Sequence, residues 1–355
     1  MKTLELMSQH GHERVCFWHD AETGLRAIIA LHSTVLGNAL GGTRRWHYGD
    51  EHDALHDVLR LSEGMTYKAA CAGLPMGGAK SVVLLPERGM AGTEAEARSM
   101  GRFVDTFNGQ YIAAEDVGVN EQYIDWMNSE TDHVQGGTGS GQGGDPSPHT
   151  AMGVLRGMQA CLRHKNIDQF AGLTVAIQGV GSVGAHLARL LHEHGADLIV
   201  ADINPDLVQE LVELYGARAA GVDEILLQPC DILAPCALGG VLDTDVIADL
   251  QAGIICGAAN NQLHEPSTDG ALLLERGILY APDFIVNAGG LIHLAGTYLE
   301  LSEAELEAKI NEIEETTSHI LEVTADRGIP TNKAAIELAM HRIETGSVEE
   351  RLHAG

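Results

Sequence analysis

The sequence is short of positive charge. Against 50 aspartates and glutamates stand 22 lysines and arginines, a formal net charge of −28. So acidic a chain lacks the field that holds a phosphate backbone or an anionic lipid surface, so neither nucleic acid nor membrane is an expected partner. Keeping the chain soluble is the other use of such a charge. Cysteine is sparse and unpatterned. Cys16, Cys71, Cys161, Cys230, Cys236 and Cys256 include no CxxC, and several sit in apolar runs. That usage fits reduced, buried thiols in a cytoplasmic protein. Residues 1–14 are polar and carry no signal-peptide pattern, and no apolar run is long enough to span a bilayer. The 18 histidines include no HExxH, and no metal is expected. The pairs His10/His12 and His192/His194 lie among polar residues and are expected at the solvated surface.

What is there begins with a glycine turn. An apolar run, residues 175–177, enters Gly179-x-Gly181-x-x-Gly184. Val183, Leu187, Leu190 and Leu191 then follow at helical spacing, and a second apolar run ends at Asp202. A GxGxxG alone is a weak signal, since such turns also close loops. Between two strands and a helix it marks a dinucleotide fold, with the pyrophosphate on the helix N-terminus and the acid on the ribose.

The 355 residues, 45% hydrophobic, suit two domains. In the N-terminal part, strands are expected at 15–18, 25–31, 81–85 and 111–114, and helices at 53–64 and 95–107. Strands separated by helices predict an α/β sheet with parallel neighbours. Residues 136–145 are dense in Gly and Ser and read as a loop or hinge, and a helix follows Pro148. Later strands are expected at 232–234, 254–256 and 278–280, and amphipathic helices at 303–327 and 331–345. The expected architecture is α/β, in two domains with a cleft between them. Residues 1–135, with a returning tail of about 331–355, form a substrate-binding and oligomerisation domain. Residues 146–330 form a Rossmann dinucleotide-binding domain.

Only six lysines are present, and Lys68 and Lys80 fall in one glycine-rich apolar stretch, GMTYKAACAGLPMGGAKSVV. They are either cations snorkelling at a surface loop or a pair facing a cleft. In the second case one binds a carboxylate. The other, partly desolvated beside a like charge, acts as a base near neutral pH. Asp116 follows the apolar run 111–114, where a carboxylate points to the crevice of an α/β sheet or caps a turn. Asn260, Asn261 and Asn287 follow expected strands, where they bond a ribose or carboxamide or serve as turn residues.

Together with Leu40-Gly-Gly-Thr-Arg44, Gly64-Met-Thr-Tyr-Lys68, Leu74-Pro-Met-Gly-Gly-Ala-Lys80, Ala114-Glu-Asp116-Val-Gly118, Pro146-Ser-Pro-His-Thr150 with Gly153, Pro235-Cys-Ala-Leu-Gly-Gly240 and Asn287-Ala-Gly-Gly290, the fingerprint resembles the amino acid dehydrogenase family. That family includes glutamate, leucine, valine and phenylalanine dehydrogenases, and the leucine enzymes look most similar. The segments keep the family's order over nearly the whole chain.

The resemblance implies oxidative deamination of an L-amino acid to a 2-oxo acid and ammonium, by a homo-oligomer, dimer or octamer. It makes Lys68 the ligand of the substrate α-carboxylate, Lys80 the catalytic lysine that activates water, and Asp116 the proton shuttle to nitrogen. Leu40, Gly41, Met65, Gly77, Gly78, Ala113, Leu291 and Leu294 line the substrate. Thr150, Gly179, Val180, Gly181, Ser182, Val183, Gly184, Asp202, Ile203, Ala258, Asn260, Asn261 and Asn287 hold the cofactor. Asn260 departs from the aspartate some leucine enzymes carry.

Glutamate enzymes place a lysine where this chain has Leu40, and burying an unpaired γ-carboxylate costs several kcal/mol. With Ala113, Leu291 and Leu294 also aliphatic, the resemblance implies leucine, isoleucine and valine as substrates. Asp202 opposes a 2′-phosphate and implies NAD rather than NADP. The rivals are an enzyme of phenylalanine or tryptophan type and a non-catalytic nucleotide sensor. The presence of Lys68, Lys80 and Asp116 together speaks against the sensor.

Overall fold

Two separate sheets organise the chain in the computed structural model, which describes residues 2–139 and 144–352. The first contains β1 (Arg14–His19), β2 (Arg26–Ser33), β3 (Ala39–Trp46), β4 (Gly77–Leu84) and β5 (Tyr111–Glu115), in the order β1-β2-β4-β3-β5. β3 runs parallel to β4 and β5, but β1–β2 and β2–β4 are antiparallel. The expectation of parallel neighbours therefore holds for only part of this sheet. β1 and β2 are joined by a short turn, in which Asp20 accepts from the N–H of Glu22 and Gly24 takes φ +74°. So short a connection forces an antiparallel pair.

Side chains alternate across the sheet. One face packs Ala39, Ala79, Val83, Tyr111 and Ala113 against Phe103, Ile124 and Met127, which belong to helices Glu94–Asp105 and Glu121–Asn128. The other packs Ile28, Ala30 and Val82 against Ala54, Leu55, Val58 and Leu59 of helix Glu51–Cys71. Asp50 caps this helix by accepting from the N–H of Asp53. The helix runs past the expected end at 64, so Lys68 stands in its last turn and not in a loop.

β3 has no counterpart in the sequence reading, because Gly41-Gly42 breaks the apolar alternation. Both glycines answer to space. A Cβ on Gly41 would lie 1.7 Å from the Ala79 carbonyl oxygen, and one on Gly42 would lie 2.6 Å from that of Glu115.

The second sheet contains β6 (Thr174–Gln178), β7 (Asp197–Ala201), β8 (Arg218–Ala219), β9 (Ile232–Pro235), β10 (Ile254–Ile255) and β11 (Leu279–Tyr280). All are parallel, in the order β11-β10-β9-β6-β7-β8. This is the doubly wound order, with the direction of winding reversing between β6 and β9. Val175, Ile177, Val200, Ile232 and Ala234 pack against helices Ser147–His164 and Ser182–Glu193 on one face. Ala176, Ile199, Leu233 and Ile255 pack with Leu242, Ile247 and Leu273 on the other.

The chain divides into two compact units. One is Met1–Gly144 with His293–Ser302 and Arg342–Glu350, and the other is built on Asp145–Ile292 and Glu303–His341. The tail expected with the first unit is thus split within helix Thr331–Thr345. The Gly/Ser-rich hinge reading falls partly on residues 140–143, which lie outside the described residues. No helix among the described residues is long and apolar enough to cross a membrane.

His12 corrects the surface reading. It is buried, with Nε2 bonded to Ser62 Oγ at 2.8 Å and its ring edge-on to His32 at 4.8 Å between centroids. Polar neighbours in sequence hid the fact that β2 and helix Glu51–Cys71 close over it.

Two outcomes are expected. Gly41→Ala should lower stability by about 1–3 kcal/mol or more, because strand backbone cannot give way as a side chain can. Thermal unfolding checks this, and an unchanged melting temperature would contradict the packing argument. Burial, with His32 adding to it, pushes His12 down to about 4. Unfolded chains bind that proton near pH 6.5, so stability is lost as pH falls from 6.5 toward 4. Urea unfolding across that window should show a shallower pH slope for His12→Phe than for the parent chain. Equal slopes would remove His12 as a source of the acid sensitivity.

Candidate active site

Lys80 lies mid-strand in β4 with its side chain on the face covered by helix Glu51–Cys71, opposite Ala30 of β2 in register. It is only 7% exposed, and its Nζ sits 2.9 Å from Asp116 Oδ2. Asp116 follows β5 directly, at the carboxyl ends of two parallel strands. Arg44 of β3 reaches the same oxygen, Nε to Oδ2 2.9 Å, while its Nη1 lies 3.1 Å from Asp57 Oδ2 on the covering helix. Asp57 also accepts from Tyr48 at 2.9 Å and from Arg60 at 3.0 Å. The result is a line of alternating charge from the buried Lys80 out to the exposed Arg60.

Burial pushes the Lys80 ammonium below its usual range, and Asp116 only partly restores it. Burial would raise the Asp116 carboxyl, but Lys80 and Arg44 together outweigh it and hold the group below its ordinary value. A lysine with lowered affinity for its proton, touching an ionised carboxylate, is a proton-accepting pair. Arg44 and Asp57 received no role in the sequence reading. The signal for Arg44 is a cation two residues after a glycine pair that lies within a strand.

The other expected site residues are placed as follows. Leu40 is 1% exposed and shares Lys80's face of the sheet. A Cβ on Gly77 would lie 2.0 Å from the Ser33 carbonyl oxygen, and one on Gly78 would lie 2.1 Å from the Thr66 N. Gly78 thus seats the helix of Met65 and Lys68, both half-buried, against β4, whereas Gly77 admits the backbone at the end of β2. Ala113 is a correction. It pairs with Gly41 and points into the core with Tyr111 and Ile124, on the face away from Lys80. Its neighbours Ile112 and Ala114 share Lys80's face instead. Alternation along β5 decides this, and the sequence motif does not carry that phase. Leu291 is buried and Leu294 half-buried, one turn apart in helix Gly289–Tyr298.

In the second unit, the fingerprint links β6 to helix Ser182–Glu193. Gly179 takes φ +88°, and a Cβ there would lie 2.6 Å from the Ala237 Cβ. A Cβ on Gly184 would lie 2.0 Å from the Gly179 carbonyl oxygen. Gly181, which caps the helix, has nothing within 4 Å, and no side chain caps that end. With no side chain capping that end and open room beside Gly181, the first-turn amides of Ser182 and Val183 leave space for a pyrophosphate. Asp202 follows β7, accepting from Val180 N at 2.8 Å and Asn204 N at 2.9 Å, and Ile203 beside it is 88% exposed.

Asn287 donates to the Ala258 carbonyl at 3.0 Å and to Asn260 Oδ1 at 2.8 Å. Its own Oδ1, like Gln178 Oε1 at the end of β6, is buried without a hydrogen-bond partner among the described residues. Asn261 takes φ +52° and its carbonyl accepts from Gly240 N, so it serves the turn. Thr150 bonds its own helix at Pro146, and a Cβ on Gly290 would lie 2.8 Å from the Thr150 Oγ1. Open glycine, free helix amides and orphaned amide oxygens together fit a dinucleotide.

Comparisons with known proteins agree. Residues 12–133 match the family described as Glu/Leu/Phe/Val dehydrogenase, dimerisation domain. Residues 143–210 and 204–350 match Glutamate/Leucine/Phenylalanine/Valine dehydrogenase. Leucine dehydrogenase from Geobacillus stearothermophilus is 46% identical over 97% of this chain and 94% of its own. L-tryptophan dehydrogenase from Nostoc punctiforme is 42% identical over 97% of this chain and 96% of its own. The crystal structure of L-tryptophan dehydrogenase from Nostoc punctiforme superimposes with a TM-score of 0.87, at 40% identity, covering 97% of this chain and 99% of that one. By sequence, by architecture and by the residues gathered on its first sheet, this chain belongs to the glutamate/leucine/phenylalanine/valine dehydrogenase family of amino acid dehydrogenases.

Proposed function

We propose that the protein is an NAD-dependent L-amino acid dehydrogenase that deaminates leucine, isoleucine and valine to their 2-oxo acids and ammonium, reversibly. The observation that carries this reading is Lys80 Nζ against Asp116 Oδ2 on the sheet face that also presents Leu40. Lys68 takes the α-carboxylate. Nicotinamide dinucleotide, on which the family depends, supplies when bound the C4 acceptor for the hydride leaving the substrate Cα. Lys80, deprotonated easily because it is buried, takes a proton from the water that adds to the imine carbon. Asp116, held ionised, carries protons to and from nitrogen as the carbinolamine collapses to the 2-oxo acid and ammonia.

Leu40 offers no cation to a γ-carboxylate, which supports an aliphatic substrate over glutamate. Leu291 and Leu294 are proposed as further aliphatic lining from their chemistry and the family resemblance. NAD over NADP rests on the carboxylate of Asp202 and on the exposed Ile203-Asn204 beside it, which supplies no arginine for a 2′-phosphate. Gly179, Val180, Gly181, Ser182, Val183 and Gly184 are proposed for the pyrophosphate. Thr150, Ala258, Asn260, Asn261 and Asn287 are proposed for the nicotinamide end. A homo-oligomer is supported by the family description of residues 12–133 as a dimerisation domain. A cytoplasmic location is part of the same reading.

The test is NADH formation against leucine, isoleucine, valine, phenylalanine, tryptophan and glutamate, with Lys80→Ala alongside. The branched-chain substrates should show the highest kcat/KM, and Lys80→Ala should cost about 10²–10⁴-fold while NADH still binds. The tryptophan dehydrogenase relatives make an aromatic substrate the specific second reading, and tryptophan or phenylalanine in the lead would replace the branched-chain one. NADH binding without turnover of any amino acid would favour a sensor. For the cofactor, Asp202→Ala should raise kcat/KM for NADP relative to NAD. An unchanged ratio would take the discrimination away from Asp202.

A further inference from the structure

Asp116 is held by more than Lys80. Its Oδ2 takes two cations, Lys80 Nζ and Arg44 Nε, each at 2.9 Å. Among the described residues no hydrogen bond reaches Oδ1, so both cation contacts fall on one carboxylate oxygen and the other is left for a further partner. Arg44 does not stand alone. Its Nη1 is braced by Asp57, which Tyr48 and Arg60 hold in turn. Asp57 lies on helix Glu51–Cys71, so the guanidinium bridges β3 to the helix that carries Lys68 in its last turn. Among the described residues, Nε and Nη1 are spent, each on a different acid. The planar fork fixes the angle between those two bonds as a lysine cannot.

We propose that Arg44 is a positioning residue for deamination: by gripping Oδ2 from β3 while braced on Asp57, it orients Asp116 so that Oδ1 is the oxygen that moves protons at the substrate nitrogen. The proposal rests on the dehydrogenase reading above and goes beyond it by assigning a role to a group that does not touch the substrate.

The clamp has a second consequence. Charged and titratable groups around Asp116 are Lys80 from β4, Arg44 from β3, Asp57 from the covering helix, Tyr48 from the segment after β3, and, from the opposite face of β5, Tyr111. Arg44 is the cation that lowers both members of the catalytic pair. It favours the ionised Asp116 by attraction and the neutral Lys80 by repulsion. Without it, both groups bind protons more tightly, and a base that must be deprotonated to act becomes active at higher pH. A residue that only packed the sheet would not shift either titration.

Two readouts separate these cases. The first is the pH profile of kcat/KM for leucine deamination in the parent chain, Arg44→Met and Arg44→Lys. The second is the titration of the Lys80 ¹³Cε resonance in protein labelled at lysine, assigned with Lys80→Arg. With six lysines in the chain, that spectrum is sparse. In Arg44→Met the ascending limb and the Lys80 midpoint should both move up, by roughly one to three pH units. kcat should fall far more than KM rises, because the carboxylate ligand Lys68 is untouched.

Arg44→Lys should return the midpoint toward that of the parent while leaving kcat reduced, since charge is restored and the two-acid fork is not. If Arg44→Met does not fold, Arg44→Lys and Asp57→Asn carry the test, the latter lowering kcat several-fold by freeing the outer arm. An unmoved Lys80 midpoint with activity lowered equally at every pH would overturn the proposal. A shifted midpoint in a protein that deaminates nothing would leave the clamp standing and remove the dehydrogenase reading.

Discussion

Burying the ammonium of Lys80 inside a sheet is the constraint to which the rest of the first unit answers. Removing such an ion from water costs several kcal/mol, and a single carboxylate repays this only with good geometry and further hydrogen bonds. Asp116 supplies the carboxylate, but taking it out of water carries its own cost. Arg44 meets that cost, Asp57 meets that of Arg44, and Tyr48 and Arg60 carry the line to the surface. The order of charges alternates strictly, so each desolvated ion has neighbours of opposite sign. In a chain with so few cations, committing three of them to one line marks the place where charge is used and not merely tolerated.

Glycine is what lets that line form, and the structure separates two uses of it. At Gly41, Gly42, Gly77 and Gly78, backbone stands where a side chain would be, so the residues are explained by close packing alone. Gly184 belongs with them, since it brings the helix onto the turn. Gly181 differs, because no atom stands within 4 Å of where its Cβ would be. An open glycine at an uncapped helix N-terminus leaves room for an anion beside the first-turn amides. The same motif thus contains both kinds of glycine, and the letters alone do not tell them apart.

That difference sets how much was legible beforehand. The nucleotide half was readable because fully buried parallel strands are short apolar runs and the glycine turn falls between them. β6, β9 and β10 lie where those runs are. The first sheet was harder. β3 carries two glycines and two arginines, which look like a turn until its neighbours' carbonyls are seen beside it. Helix Glu51–Cys71 continues through Gly64 because tertiary packing of Thr66 on Gly78 outweighs glycine's weak helix propensity. The phase of β5 could not be read from the motif around Asp116, so Ala113 was placed on the wrong side and Ile112 and Ala114 were missed. His12 looked polar by its neighbours in sequence and is buried by its neighbours in space. Lys80 and Asp116, which meet in the structure, stand out in the sequence as residue types in odd places, whereas Arg44 and Asp57 are ordinary charges until distance joins them.

The chemistry asked of the pair also explains why the supporting cation grips the carboxylate and not a surface acid. The proposed mechanism starts with Lys80 neutral and Asp116 ionised, so it needs both groups short of protons at working pH. A lysine and an aspartate alone pull in opposite directions, since the aspartate that is stabilised by the lysine also raises the lysine's hold on its proton. Adding a second cation breaks that symmetry. Placed on Asp116, it deepens the carboxylate's ionisation and opposes the ammonium's charge, so one arginine moves both groups the same way. A second anion in the same position would instead have raised both. On the proposed mechanism, a positive charge at position 44 thus serves proton transfer as well as the ionic line that holds the buried pair.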